Sequence, residues 1–260
     1  MNLQKNNIVC NIDMSIGEKD IEKRIRSVWG SYIAYHIYNV PDTDYVTLYE
    51  KVANTLGKIR LCPSVNSKTS KLCKSVDIKV NPSLYHFYAS NTRQPLHTDY
   101  AYYESEEAPD WLMLYCMDTS EFGGKTHILS KETLVSILEK YNPSLLDDIQ
   151  TDVVWRYEGV DGLTVHTKPI YDGKFINWNY WQIKEELNTP EVMKVRQNFF
   201  DFLENFIVGG GIYDFSKVWT VGDCIIFNDK LCLHARNAFL GNNRWLKDHA
   251  FYNKNYLEQK

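Results

Sequence analysis

The sequence predicts a mainly β fold with flanking helices (α+β), its short strands closing into a barrel or a pair of facing sheets. Three observations carry that reading. From Ser75 onward, short apolar or alternating runs recur between turn residues. Only two helical stripes interrupt them. The remaining helical periodicity is confined to the first 60 residues, and no linker, repeat or low-complexity tract divides the chain. Residues 1–260 are therefore expected to form one domain, with 1–74 an N-terminal elaboration and 75–260 the β core.

Ile21, Ile25, Val28 and Trp29 recur at helical spacing. So do Tyr45, Leu48, Tyr49, Val52 and Leu56, and Gly57 stops them. Tyr32 to Tyr38 alternates like a strand between the two helices. The strand-like runs that follow are 76–80, 84–88, 111–117, 126–129, 153–157, 163–169, 174–178, 218–220, 223–228 and 245–252. Ser130 can cap a helix in which Leu134, Leu138 and Tyr141 share a face. Thr189-Pro190 supplies a cap and an N1 proline to another. There Val192, Val195, Phe199, Phe202, Leu203 and Phe206 form a stripe, read as core packing, that ends before Gly209-Gly210-Gly211.

Hydrophobic residues make up 44% of the chain and aromatic residues 14%, enough to bury a sizeable core. The 29 basic and 33 acidic residues are mixed without a basic block, which argues against a nucleic-acid partner. No apolar run is long enough to span a membrane and the N-terminus lacks a secretory pattern, so the expected location is cytoplasmic. Six cysteines without close-pair spacing read as reduced thiols and not as disulfides or a zinc site.

His97-Thr98-Asp99 closes a strand-like segment, so the two outer side chains project from one side, as a metal requires. Alone this pattern is common. It gains meaning from Trp219 to His234, where Gly222-Asp223 turns, a buried strand follows, Asn228-Asp229 turns again and His234 is delivered inward. Two histidines and a carboxylate on one face of an iron leave three positions open for co-substrate and oxygen. Ten residues past His234, Arg244 is placed to pair with a deep carboxylate; Arg236 is the alternative arginine.

The stretches Leu96-His-Thr-Asp-Tyr-Ala-Tyr-Tyr103, Ala108-Pro-Asp-Trp-Leu-Met-Leu-Tyr-Cys-Met117 and Gly123-Gly-Lys-Thr126 resemble the taurine dioxygenase-like (TauD/TfdA) family, nearest in motif to its γ-butyrobetaine hydroxylase branch. The resemblance runs with gaps from about Tyr85 to Tyr252. It implies a double-stranded β-helix, the jelly-roll or cupin-like fold. It implies a dioxygenase that uses iron(II), 2-oxoglutarate and O2, with His97, Asp99 and His234 as metal ligands. Arg244 would hold the distal carboxylate of 2-oxoglutarate, with the Thr126 hydroxyl as a second donor. Hydroxylation of an unactivated C–H bond is the expected outcome; desaturation and cyclisation remain open. Halogenation is argued against, because Asp99 fills the position that a halide would need.

Two other classes are compatible with the same residues: a non-catalytic cupin-like metabolite-binding protein and a zinc hydrolase on the same ligands. Neither requires Thr126 or Arg244. The expected substrate is a small, amine-bearing metabolite such as an amino acid or a betaine-like compound. Tyr100, Tyr102 and Tyr103 follow Asp99, and aromatic faces attract ammonium groups. Asp248 lies four residues after Arg244, so strand alternation puts the two on one face. Asp248 could instead pair with Lys247 or Lys230. Among the other histidines, His86 and His166 read as satisfied core residues, His127 as turned away from the side Thr126 faces, and His249 as sharing a strand with Asp248, so that only one of the two points inward.

Overall fold

The computed structural model describes residues 8–15, 20–63, 72–83, 87–104, 106–150, 155–159 and 162–253. Two sheets face each other. Their strands, in chain order, are β1 (Val9–Asp13), β2 (Ala34–Tyr38), β3 (Gly57–Ile59), β4 (Asp77–Lys79), β5 (Gln94–His97), β6 (Trp111–Asp118), β7 (Thr126–Ser130), β8 (Phe215–Lys217), β9 (Cys224–Asn228), β10 (Cys232–Arg236) and β11 (Trp245–Asn253). The larger sheet runs β1-β2-β9-β6-β11-β3, and β4 also pairs with β11; the smaller runs β8-β7-β10-β5. All neighbours are antiparallel except β1 and β2. This is the double-stranded β-helix.

Alternation decides what each sheet buries. Leu112, Leu114 and Cys116 of β6, Ile225 and Phe227 of β9, and Leu246 and Ala250 of β11 meet Ile128 of β7 and Cys232 of β10 between the sheets. Their alternates, Met113, Tyr115, Ile226 and Phe251, turn outward onto α1 (Ile21–Val28) and α2 (Tyr45–Leu56). Leu96, Leu129, Leu233 and Ala235 turn outward from the smaller sheet. They pack on α3 (Lys131–Tyr141), α4 (Pro143–Gln150) and α5 (Pro190–Phe202). Each helix is locally specified: Asp20, Asp44, Ser130 and Thr189 accept backbone N–H groups of the first turns of α1, α2, α3 and α5.

Several elements depart from the sequence reading. The stretch before residue 75 supplies three strands to the larger sheet. β1 was not anticipated, because its alternation is broken by polar residues. α4 was also missed, although Asn142-Pro143 offers a cap and an N1 proline and the Asn142 side chain accepts Leu145 N–H at 3.3 Å. The run 174–178 makes only an isolated bridge, Tyr171 with Ile176. The strand expected over 218–220 lies at β8, three residues earlier, where it can pair with β7. The strand expected over 84–88 lies partly outside the described residues, as do residues 153–154 of another; Phe87–Ala89 is a 3-10 turn. After α5 the chain widens into a π turn over Leu203–Val208. The buried stripe accordingly runs Val192, Phe199, Leu203 and Ile207, leaving Phe206 at the exposed edge.

Candidate functional site

β5 and β10 place the two histidines side by side. His97 and His234 are direct partners in the ladder, their rings 4.1 Å apart, and both are buried. Asp99, just past the end of β5, brings Oδ1 to 3.1 Å from His97 Nε2 and 3.7 Å from His234 Nε2. Cis ligands of an octahedral ion, each about 2.1 Å from the metal, lie about 3 Å apart. The three side chains fit such an ion, and one ligand atom from each lies within 4.8 Å of the others. The Asp99 side chain is 38% exposed, so the triad opens toward a mouth and is not sealed.

The main chain and neighbouring side chains hold this geometry. His97 Nδ1 is 2.9 Å from the Pro95 carbonyl, a contact that fixes its tautomer and leaves the Nε2 lone pair facing Asp99. Thr98 turns the other way, where its N–H donates to Trp178 O and its hydroxyl accepts from Trp178 N–H. Asp229 is buried beneath this cluster and accepts the N–H groups of Asp99 and Tyr100, each at 3.1 Å. Its Oδ1 also lies 3.7 Å from His234 Nδ1, an atom with no hydrogen-bond partner. The sequence reading saw Asp229 only as a turn residue.

The charges of the site are mutually dependent. Burial lowers the pKa of His97, but the Asp99 carboxylate outweighs it and the net shift is upward. Burial opposes the Asp99 charge, yet His234 and His97 hold its carboxyl below the usual range. Burial and then the proximity of His97 push His234 down to about 3. Burial and the nearby Asp99 charge raise Asp229.

One strand repeat past His234, about 7 Å along β10, lies Arg236, and opposite it in the ladder stands Thr126. Trp219 Nε1 donates to Thr126 Oγ1 at 2.8 Å, which leaves the threonine O–H available as a donor. Arg244 reaches the same end. Its guanidinium and that of Arg236 each lie 5.2 Å from the Phe239 ring. Arg236 is engaged with the Ser90 and Thr92 carbonyls, whereas Arg244, 3% exposed, makes no hydrogen bond or ion pair among the described residues. Burial, then the Arg236 charge, push Arg244 down to about 9.

The Gly-Gly-x-Thr motif makes room for this arrangement. Gly123 and Gly124 have φ of 80° and 69°, and a Cβ on Gly124 would stand 3.2 Å from Arg244 Nε. Gly222, φ 86°, does similar work for the turn into β9. A Cβ there would meet the Tyr45 ring at 2.8 Å, while the neighbouring Asp223 accepts Thr220 N–H.

The profile of the family described as Taurine catabolism dioxygenase TauD, TfdA family matches residues 39–248. The chain belongs to that family. It is an iron(II)- and 2-oxoglutarate-dependent dioxygenase that uses O2, which sets aside the non-catalytic binding protein and the zinc hydrolase. Curated protein sequences gave no match. Among solved structures, an asparagine oxygenase bound to Fe(II), 3-hydroxyasparagine and succinate superposes with a TM-score of 0.66 at 14% identity, covering 89% of this chain and 77% of its own. A mutant of the non-heme iron oxygenase OrfP, bound to (3S)-hydroxy-L-arginine, gives 0.64 at 13%, covering 91% and 81%. A taurine dioxygenase from Burkholderia xenovorans gives 0.61 at 13%, covering 95% and 86%.

The remaining residues singled out in the dioxygenase sequence fall as follows. Tyr100, Tyr102 and Tyr103 cluster beyond Asp99 with ring centroids 4.7 to 6.4 Å apart. The Arg60 guanidinium lies over Tyr100 and Tyr103, so these faces already carry a cation of the protein itself. Asp248 keeps step with Leu246 and Ala250 on the inner face of β11. Arg244 precedes that strand across a register shift between Trp245 and Leu246, so simple alternation does not connect the two. Lys247 pairs with Asp77 and Lys230 with Asp110, so neither lysine neutralises Asp248.

His127 bonds Ser216 and Asn237, away from the site, and His249 Nδ1 faces Lys74 O. His166 is not a core residue: it pairs with the exposed Glu104 at 2.8 Å, because its hairpin lies at the surface. His86 lies outside the described residues. Among the described residues no helix is long and apolar enough to cross a membrane.

Proposed function

We propose that His97, Asp99 and His234 hold the iron, that Arg244 and Thr126 bind the distal carboxylate of 2-oxoglutarate, and that the enzyme hydroxylates a C–H bond of a small amine-bearing metabolite of the amino-acid type. One observation carries this reading. A His97–Asp99–His234 cluster open at its mouth shares β10 with Arg236, and beside Arg236, over the same Phe239 ring, stands the buried Arg244, which has no acid to pair with among the described residues. A buried cation without a counter-charge is costly, and a dicarboxylate supplies that charge.

Bound iron and 2-oxoglutarate would supply the oxidising power for an unactivated C–H bond, with succinate and carbon dioxide released. The chain's own groups do the positioning. Asp229 fixes the Asp99 backbone, Pro95 fixes the His97 ring, and the interior wall of Leu114, Ile128 and Phe227 excludes water. The asparagine oxygenase and OrfP structures, which hold hydroxylated amino acids, support a substrate of that type. The test is succinate release stimulated by amino acids and dependent on iron(II). His97→Ala and His234→Ala should each lose iron and turnover; full activity in either, with iron retained, would overturn the ligand assignment.

A further inference from the structure

Arg60 was not singled out in the sequence, because Leu-Gly-Lys-Ile-Arg-Leu has no motif. The sheet puts it at the mouth. Its N–H donates to Ala250 O at 2.7 Å, continuing the pairing in which Ile59 faces Phe251. Arg60 therefore stands opposite Ala250. Because Ala250 points between the sheets while Ile59 and Phe251 pack outward, the Arg60 side chain shares the inner face with Ala250 and, one repeat back along β11, with Asp248.

The Arg60 guanidinium lies 5.3 Å from the Tyr100 ring centre and 4.9 Å from that of Tyr103. It donates to the Tyr103 hydroxyl and to Cys62 Sγ. Tyr100 follows Asp99 directly, so this cation and Asp248 flank the side of the triad on which Asp99 opens. The Arg244 end lies the other way: Arg244 precedes Asp248 by four residues, about 13 Å of strand.

Neither charge is satisfied by the other. Among the described residues no carboxylate lies within 4.0 Å of Arg60, and the one hydrogen bond that Asp248 accepts is from Val76 N–H at 2.7 Å. Opposite charges held apart and partly out of water are unfavourable in the empty protein, and a ligand with a matching pair of charges relieves both. With the tyrosine faces taken by Arg60, a substrate ammonium has Asp248 as its partner.

We infer that Arg60 and Asp248 form a zwitterion-reading pair, Arg60 taking the substrate carboxylate and Asp248 a primary ammonium. The enzyme then selects free amino acids over amines, over acids without an amino group, and over N-trimethylated compounds, which have no N–H to give Asp248. This rests on the amino-acid reading proposed above and specifies which residues enforce it.

The test compares kcat/KM for amino acids with that for their decarboxylated, deaminated and N-trimethylated counterparts, using succinate release by the iron(II)-loaded full chain. Wild type should prefer the free amino acid by about 10- to 100-fold, the scale of a charged hydrogen bond. Arg60→Gln should bring the amino-acid-to-amine ratio toward unity and leave the amino-acid-to-deaminated-acid ratio in place. Asp248→Asn should do the reverse. Arg60→Lys, which retains charge and packing, should keep part of the preference and guards against misfolding of the glutamine variant.

An unchanged amino-acid-to-amine ratio in both Arg60 variants would overturn the pair while leaving an amino-acid oxygenase standing. So would equal wild-type use of amines or trimethylated compounds. If no amino acid stimulates the wild type although substrate-free succinate release occurs, the amino-acid reading fails and the pair falls with it.

Discussion

Arg244 can be probed by two substitutions whose effects on stability and binding differ. The side chain is 3% exposed and shares the Phe239 ring with a second cation, and burial and that cation push its pKa down to about 9. Its charge is therefore stabilised by neither water nor an acid among the described residues. Arg244→Lys keeps a cation but replaces a planar fork by a single point of contact. Losing one hydrogen bond to a charged group costs about 1.5–3 kcal/mol, and about 1.4 kcal/mol is tenfold, so 2-oxoglutarate affinity should fall by about 10- to 100-fold.

Arg244→Met removes the cation altogether. It should weaken 2-oxoglutarate binding further while raising the unfolding temperature of the ligand-free protein, because the unpaired buried charge is gone. Anaerobic titration of the iron(II) enzyme with 2-oxoglutarate, followed by charge-transfer absorption, gives the affinity, and thermal unfolding gives the stability. The reasoning fails if Arg244→Lys binds like wild type while Arg236→Lys carries the loss, or if Arg244→Met is less stable and binds normally.

Three further outcomes follow. Asp229→Ala strands the Asp99 and Tyr100 N–H groups and should cost about 1–3 kcal/mol in stability together with a 10- to 100-fold loss of iron affinity; equilibrium unfolding and metal titration report the two. Gly124→Ala, at φ 69° and crowding Arg244 Nε, should cost about 1–2 kcal/mol and raise the KM for 2-oxoglutarate; an unchanged KM would mean that Arg244 is not the co-substrate residue.

The third concerns pH. Burial raises Asp248 to about 7, against about 3.9 unfolded, so the folded state binds the extra proton and wild-type stability is lost as pH rises through that window. Relative to Asp248→Asn the loss is at most about 4 kcal/mol, and less because the carboxyl is partly exposed. Parallel pH profiles of the two unfolding temperatures would contradict it.

Some of this protein is legible in one dimension because the relevant physics is local. Caps at Ser130 and Thr189, the turn at Gly222-Asp223 and the alternation of β6 and β9 depend on near neighbours in the chain, and those elements form where the sequence puts them. The short spacing of His97 and Asp99 on one side of a strand is local too. Pairing those two residues with His234 required recognising a set of separated motifs, since no single one is specific.

The tertiary structure alone decided the rest. The expected strand at 218–220 moved to β8 because pairing with β7, and not apolar content, selects the register. Asp229 turned from a loop residue into the acceptor beneath Asp99 through contacts across long stretches of chain. Arg60 came to share the inner face with Asp248 only because β3 lies along β11, and Arg244 and Asp248 came to share the interior across a register shift that simple alternation does not foresee. The physical reason is the same in each case. A strand's periodicity fixes which side chains share a face, whereas the partner opposite that face is chosen by the pairing of segments distant in sequence.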